Sequence, residues 1–202
     1  EPLDPVRFLA NRSSGKQGYA VADALAHAGA ETVLVSGPVE LQAPSGVKLL
    51  KVTTAREMLA ACEAELPADI AVMTAAVADW RPDIAANSKI KKDGEHKAPA
   101  LHLIENPDIL ATLARHKKRP RLVIGFAAET DDVLANAKAK RGRKGADWIV
   151  ANDVSGEVMG GDRNQVHILT AKAEESWPEM TKAQVAERLV AHIVRQFQGD
   201  AA

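Results

Sequence analysis

Apolar positions along this chain follow two rhythms: longer stretches in which they recur at helical spacing, and short β-branched runs bounded by turn residues. Over residues 15–27, Tyr19, Ala20, Leu25 and Ala26 fall on helical spacing and Gly29 supplies a stop, which predicts a first helix. Residues 31–35 and 47–52 are short and bounded, the mark of strands. Thr54 with Glu57 forms a capping box that opens a helix reaching Glu65. The alternation then repeats: a strand at 69–74, a long polar loop, a helix after Pro107, a strand at 121–126, a helix at 131–144 and a strand at 147–151. Near the end the pattern changes. Residues 166–170 read as an edge strand, and Thr181 with Gln184 starts a last amphipathic helix, framed by Met180 and Val185 as a hydrophobic staple.

Strands separated by helices imply right-handed crossovers in an α/β fold with a largely parallel sheet. No repeat, low-complexity linker or domain boundary interrupts the pattern, so residues 1–202 read as a single domain, long enough to bury an ordinary core. In such sheets ligands collect outside the carboxyl ends of the strands, where backbone donors at helix starts meet the crevice.

Composition narrows the partners. The 26 Lys and Arg nearly cancel the 27 Asp and Glu, so no global field argues for nucleic acid or membrane, and an anionic ligand must be met locally. Cys62 stands alone, which excludes an internal disulfide and a cysteine-rich zinc site; it reads as a small buried apolar residue in a reducing cytoplasm. No apolar run approaches the roughly 20 residues that cross a bilayer, and the start lacks the regions of a signal peptide. The expected setting is soluble and cytoplasmic. Two prolines within the first five residues make an abrupt start and suggest that something upstream is lost.

Chemistry-bearing residues do fall just after the expected strands. Asn11-Arg12-Ser13-Ser14-Gly15-Lys16 opens the first helix with small and polar residues, either an anion cradle of free amides or an ordinary serine-capped helix. It is not a P-loop, because Gly15-Lys16 is followed by Gln17. Ala75-Ala76-Val77-Ala78-Asp79 combines tiny residues with one acid: a surface that a ligand or neighbouring subunit can approach, or a tightly packed loop. Lys89-Ile90-Lys91-Lys92, in a polar loop with Gly94, suits a mobile lid over phosphate or a solvated surface run. Asp108 favours a capping role, Phe126 a stacking surface or a core position, and Lys140 with Lys144 a phosphate contact or a solvated basic face. The six histidines show no metal-ligand spacing, the metal ligands are unknown, and no motif for a nucleophilic triad appears.

Taken in order, the segments 4–16, 75–79, 89–92, Asn106-Pro107-Asp108, 125–130 and Ala151-Asn152-Asp153 closely resemble bacterial phosphopantothenate-cysteine ligase, the synthetase half of the bifunctional coenzyme A biosynthesis protein. The resemblance implies a Rossmann-like open, mostly parallel sheet with helices on both faces, a homodimer, and a two-step reaction with CTP and Mg2+ or a similar divalent cation. Phosphopantothenate carboxylate attacks the α-phosphate to give an acyl-cytidylate and pyrophosphate; the L-cysteine amine then displaces CMP. By the same resemblance Lys89 assists formation of the acyl-cytidylate and Asn11 its conversion. Asp79, Lys89, Pro107, Asp108, Ile109, Leu110, Phe126, Lys140 and Lys144 match the CTP site, while Arg7, Asn11, Ala75 and Ala76 match the phosphopantothenate pocket and dimer contact. The family's first strand and Gly-rich loop fall before Glu1 and are absent here, as is the flavin-dependent decarboxylase half, so no FMN is expected. Two other readings stay open: a nicotinamide-dependent oxidoreductase on a similar sheet, although Tyr19 is followed four residues later by Asp23 rather than lysine, and a non-catalytic nucleotide-binding or dimerisation relative.

Overall fold

In chain order the elements are α1 (Lys16–His27), β1 (Thr32–Ser36), β2 (Val47–Lys51), α2 (Ala55–Ala64), β3 (Ile70–Met73), β4 (Trp80–Pro82), β5 (Leu103–Glu105), α3 (Ile109–Ala114), β6 (Leu122–Glu129), α4 (Val133–Lys144), β7 (Trp148–Asp153), β8 (Arg163–Asn164), β9 (Val166–Leu169), β10 (Glu174–Ser176), β11 (Met180–Thr181) and α5 (Lys182–Gly199). The structure, a computed structural model, describes residues 1–91, 100–129, 131–153 and 161–199.

Local signals place the helix ends. α1 stops where the Ala30 N–H reaches back to Leu25 O (3.1 Å) and the Gly29 N–H to Ala26 O (3.0 Å). α2 starts on the complete capping box: the Glu57 N–H donates to Thr54 Oγ1 at 3.2 Å and the Thr54 N–H to Glu57 Oε2 at 3.1 Å. Thr181 and Gln184 repeat this at α5, and Met180 and Val185 join the same apolar cluster.

Five strands form one sheet in the order β10-β9-β7-β6-β3, with β3, β6 and β7 parallel and β9 and β10 antiparallel to their neighbours. β1 and β2 pair in parallel as a separate two-stranded sheet. Side chains alternate across β6 and β7. Leu122, Ile124, Trp148 and Val150 pack with Val21 of α1 and with Val185, Leu189 and Ile193 of α5. Ala127, Ile149 and Ala151 pack on the opposite side with Leu110 of α3 and Ala137 of α4. Helices thus cover both faces, and the central strands are buried on both sides, which accounts for their continuous apolar runs.

Two expectations fail. Residues 166–170 do not form the sheet edge: β9 is hydrogen-bonded to β7 on one side and β10 on the other, and its Val166, Ile168 and Leu169 are buried. The edge is β10, whose Glu-Glu-Ser sequence is short and charged, as exposed edges tend to be. The long polar loop after β3 also contains the antiparallel pair β4–β5. With three residues on each strand and a proline in one, neither carries a readable period.

Candidate active site

After β3 the chain crosses the carboxyl edge of the sheet as Ala75-Ala76-Val77-Ala78-Asp79. Small side chains leave its carbonyls within reach, and two asparagines use them. Asn11 Nδ2 donates to Val77 O at 2.9 Å, and Asn106 Nδ2 donates to Ala78 O at 2.8 Å. The Asn106 N–H adds a bond to Asp79 O at 2.8 Å, and Arg81 donates to Asn106 Oδ1 at 3.3 Å. Asn106 is buried, whereas Asn11, Ala75, Ala76 and Asp79 are exposed. A single loop therefore ties the segment before α1 to the turn before α3. α1 lies close to it: a Cβ on Gly18 would stand 2.5 Å from Thr74 Oγ1, a distance that only glycine avoids.

The start of α1 is not serine-capped. Gly15 is the N-cap residue at φ 72°, no side chain caps the helix, and Ser13 Oγ accepts from the Gly15 N–H at 3.4 Å, outside the helix. The capped-helix alternative is thereby removed, and the first-turn amides keep no side-chain cap. Lys16 reaches across the chain to an ion pair with Asp162, whose carboxyl it holds below the ordinary range. Lys182 adjoins this pair, its ammonium pushed down by burial and by the charge of Lys16.

A second cluster lies between α3, β6 and α4. Asp108 caps α3, with Oδ1 accepting from the Ala111 N–H at 3.0 Å, while its Oδ2 pairs with Lys144. Burial opposes the Asp108 charge, yet the hydrogen bonds from Lys144 and Ala111 and the charges of Lys144 and Arg143 prevail, so its carboxyl sits below the ordinary range. One turn earlier on α4, Lys140 Nζ donates to Phe126 O at 2.9 Å. Phe126 is half-buried against the α1–α5 side of the sheet. Ile109 is buried and Leu110 packs into the core on the other side, so a ligand beside them meets backbone rather than side chain. Pro107 is half-buried at the start of this turn.

A third group surrounds the start of the chain. Asp4 has no accessible side-chain surface and accepts from the Val6 and Arg7 N–H groups at 2.8 Å and from Arg7 Nε at 2.9 Å. Arg7 Nη2 also donates to Ile90 O at 2.9 Å, and Lys89, next in the chain, is exposed. No hydrogen bond among the described residues joins Lys89 to the Asp108 cluster; the connection runs through the small-residue loop. Lys92 and Gly94 of the expected lid lie outside the described residues. The linking roles of Asp4, Asn106 and Asp162 leave no signal in the sequence, since each acts on a backbone or charge remote along the chain. Among the described residues no group of three or more His, Cys, Asp or Glu could hold a metal ion, and no helix is long and apolar enough to cross a membrane.

The family model for the DNA/pantothenate metabolism flavoprotein C-terminal domain matches residues 1–197. The chain is 42% identical over 201 residues to the coenzyme A biosynthesis bifunctional protein CoaBC of Escherichia coli, covering 98% of this chain and 50% of that protein. It is 43% identical over 212 residues to the CoaBC protein of Mycobacterium tuberculosis, again covering 98% and 50%. The chain thus spans about half the length of these relatives. The crystal structure of the C-terminal domain of CoaBC superposes with a TM-score of 0.82 at 36% identity, covering 98% of this chain and 91% of that one. A Cab2 mutant in complex with phosphopantothenate-cysteine shares the fold, with a TM-score of 0.76 at 14% identity over 100% of this chain and 85% of that one.

Proposed function

This chain belongs to the DNA/pantothenate metabolism flavoprotein C-terminal domain family, and on that premise we propose that residues 1–202 form one ligase domain joining 4'-phosphopantothenate to L-cysteine with CTP. A carboxylate oxygen of phosphopantothenate attacks the α-phosphorus of CTP, and pyrophosphate leaves. The cysteine amine then attacks the acyl carbon, the bond to the CMP oxygen breaks, and the amine gives up a proton. Neither step is a redox step, and neither requires FMN.

The observation that carries this reading is the shared loop. Asn11 holds one side of it and Asn106 the other, so a nucleotide held beside Asp108, Phe126, Lys140 and Lys144 and an acyl group held beside Asn11 meet over the same small residues. Such a site works by bringing two anions together and stabilising the charge that develops. In this arrangement Asp79, Lys89, Pro107, Asp108, Ile109, Leu110, Phe126, Lys140 and Lys144 surround CTP, with Lys89 stabilising charge on the α-phosphate. Arg7, Ala75 and Ala76 border the phosphopantothenate, and Asn11 orients the acyl group for the amine. Mg2+ or a similar divalent cation would offset the charge of the triphosphate, and Asp79 and Asp108 are the exposed carboxylates of this site that would lie near it.

The enzyme is proposed to act in the cytoplasm as a homodimer, beside a flavin-dependent decarboxylase in the full-length protein. Trp80 and Leu103 share one exposed face of the β4–β5 pair and Leu101 lies just beyond, an apolar strip suited to a second copy. The family match sets the oxidoreductase alternative aside. Pyrophosphate release with CTP, phosphopantothenate and cysteine, with ATP as competitor, tests the rest. Absence of release leaves the non-catalytic reading in its place.

A further inference from the structure

The first nine residues fold back on themselves: Leu9 N–H donates to Glu1 O at 2.8 Å and Leu3 N–H to Arg7 O at 2.8 Å, with Pro2 bridging to Phe8. The Asp4 carboxylate sits inside this turn and its two oxygens divide the work. Among the described residues Oδ1 accepts only from the turn, from the N–H groups of Val6 and Arg7. Oδ2 accepts from the Arg7 guanidinium and, at 3.1 Å, from the N–H of Ile90, which is 86 positions along the chain. Because Arg7 Nη2 also donates to Ile90 O at 2.9 Å, both polar groups of residue 90 are engaged by one ion pair. A second bond, Ala86 N–H to Leu3 O at 2.9 Å, docks the same stretch.

A side chain with no accessible surface and donors from three residues is a costly way to close a nine-residue turn unless the remote partner matters. The hydrogen bonds from the Arg7 guanidinium hold the Asp4 carboxyl well below the ordinary carboxylate range, so at neutral pH it is a carboxylate. What it grips is the peptide unit adjoining Lys89, whose long, flexible stem would otherwise be free to wander. We propose that Asp4 is a positioning residue: through Arg7 and the backbone of Ile90 it fixes the base of the Lys89 arm, so that the ammonium is presented to the phosphate undergoing substitution. This rests on the ligase reading for the role of Lys89, but the anchor itself is independent of it.

Asp4→Asn separates the two oxygens. The asparagine Oδ1 still accepts from Val6 and Arg7, while Nδ2, a donor, cannot accept from Arg7 or Ile90. We expect trypsin cleavage after Lys89 to accelerate about tenfold or more, with the thermal midpoint shifted by only a few degrees. Pyrophosphate release without cysteine should fall about tenfold in kcat, with a smaller change in KM for CTP. A purely structural residue would lower the midpoint and leave kcat of the folded fraction near normal, which would overturn the proposal, as would unchanged cleavage. In the unaltered chain, hydrogen exchange gives a check that needs no variant: the Ile90 amide should be protected, and exchange at the unprotected rate would also sink the anchor. If the unaltered chain releases no pyrophosphate, the ligase reading fails, while the cleavage and exchange results still decide whether the anchor exists.

Discussion

The two sides of the shared loop are built differently. On the Asp108 side the charged and aromatic candidates are held by regular elements: Asp108 caps α3, Phe126 lies within β6, and Lys140 and Lys144 are one turn apart on α4. On the Lys89 side the chain is irregular, and position depends on a few side-chain bonds to backbone, those of Asp4, Arg7 and Asn11. Where many contacts of a helix or strand fix a residue, losing one contact moves little. Where a few bonds hold a segment, losing the carboxylate among them loosens it. The irregular side should therefore respond to substitution mainly in rate, and the regular side mainly in nucleotide affinity.

The largest effect is expected at Lys89. Lys89→Ala should lower pyrophosphate release without cysteine by about 10²–10³, the size associated with losing one donor to developing charge; a normal first step would take that role away. Its counterpart, Asn11→Ala, should leave the first step nearly intact and let the acyl-cytidylate accumulate to levels that mass spectrometry detects. Finding neither accumulation nor a slowed second step in Asn11→Ala would show that the irregular side does not divide the two steps.

Next in size is Asn106→Ala, which strips a buried donor from Ala78 O and leaves that carbonyl unsatisfied, a loss of about 1–3 kcal/mol. Because Asn106 fixes the loop that carries Asp79, KM for CTP should rise about tenfold while kcat changes less. A drop confined to kcat would place Asn106 with the irregular side and break the comparison.

Smaller still is Lys144→Met. The Asp108–Lys144 pair is partly exposed, with 41% of the Asp108 side chain accessible, so its removal should cost less than about 1 kcal/mol of stability. The pH dependence follows from the direction of the shift. A carboxyl lowered in the folded state stabilises at pH above its ordinary value, and that contribution disappears as pH falls through the lowered value. Lys144→Met should thus lie closer to the unaltered chain in acid melts than in neutral ones, while its KM for CTP rises at neutral pH.

The same contrast governs what could be read from the chain. Thr54 with Glu57, Thr181 with Gln184 and Gly29 announce helix ends because their partners lie within a few residues. The central strands show as apolar runs because both of their faces are buried. β4 and β5 leave no such trace, being three residues each and paired across about twenty others. Asp79, in the loop after β3, and Phe126, expected at the end of a strand that in fact runs on to Glu129, stand out as candidates because the fold class says where to look. Asp4 and Asn106 do not, since a side chain that holds a distant main-chain group leaves no spacing in the sequence. The edge assignment of residues 166–170 fails for a related reason: the inner position of β9 depends on β10 pairing beside it, beyond the reach of a five-residue pattern.

Cys62, on α2, offers the subtlest test. Burial, helped by the neighbouring Glu63 charge, pushes its thiol up to about 11 from an ordinary value near 9. The native state therefore favours the neutral thiol, and the stability this contributes is present below the ordinary value and fades as pH rises from there toward about 11. Cys62 is half-buried rather than buried, and at pH 8 its native thiolate is scarce, so labelling by a thiol reagent should be slow and should quicken as the surrounding structure opens. Asp4→Asn, which frees only the irregular side, should leave that labelling rate within about twofold. Gly125→Ala should raise it, because a Cβ there would lie 2.6 Å from Leu110 Cδ2 and 3.0 Å from Ile149 Cδ1, a crowding that costs about 1–3 kcal/mol in the core shared by α3 and β6. If Asp4→Asn raises Cys62 labelling as much as Gly125→Ala does, the two sides are not mechanically separate, and the turn around Asp4 belongs to the framework rather than to the arm it holds.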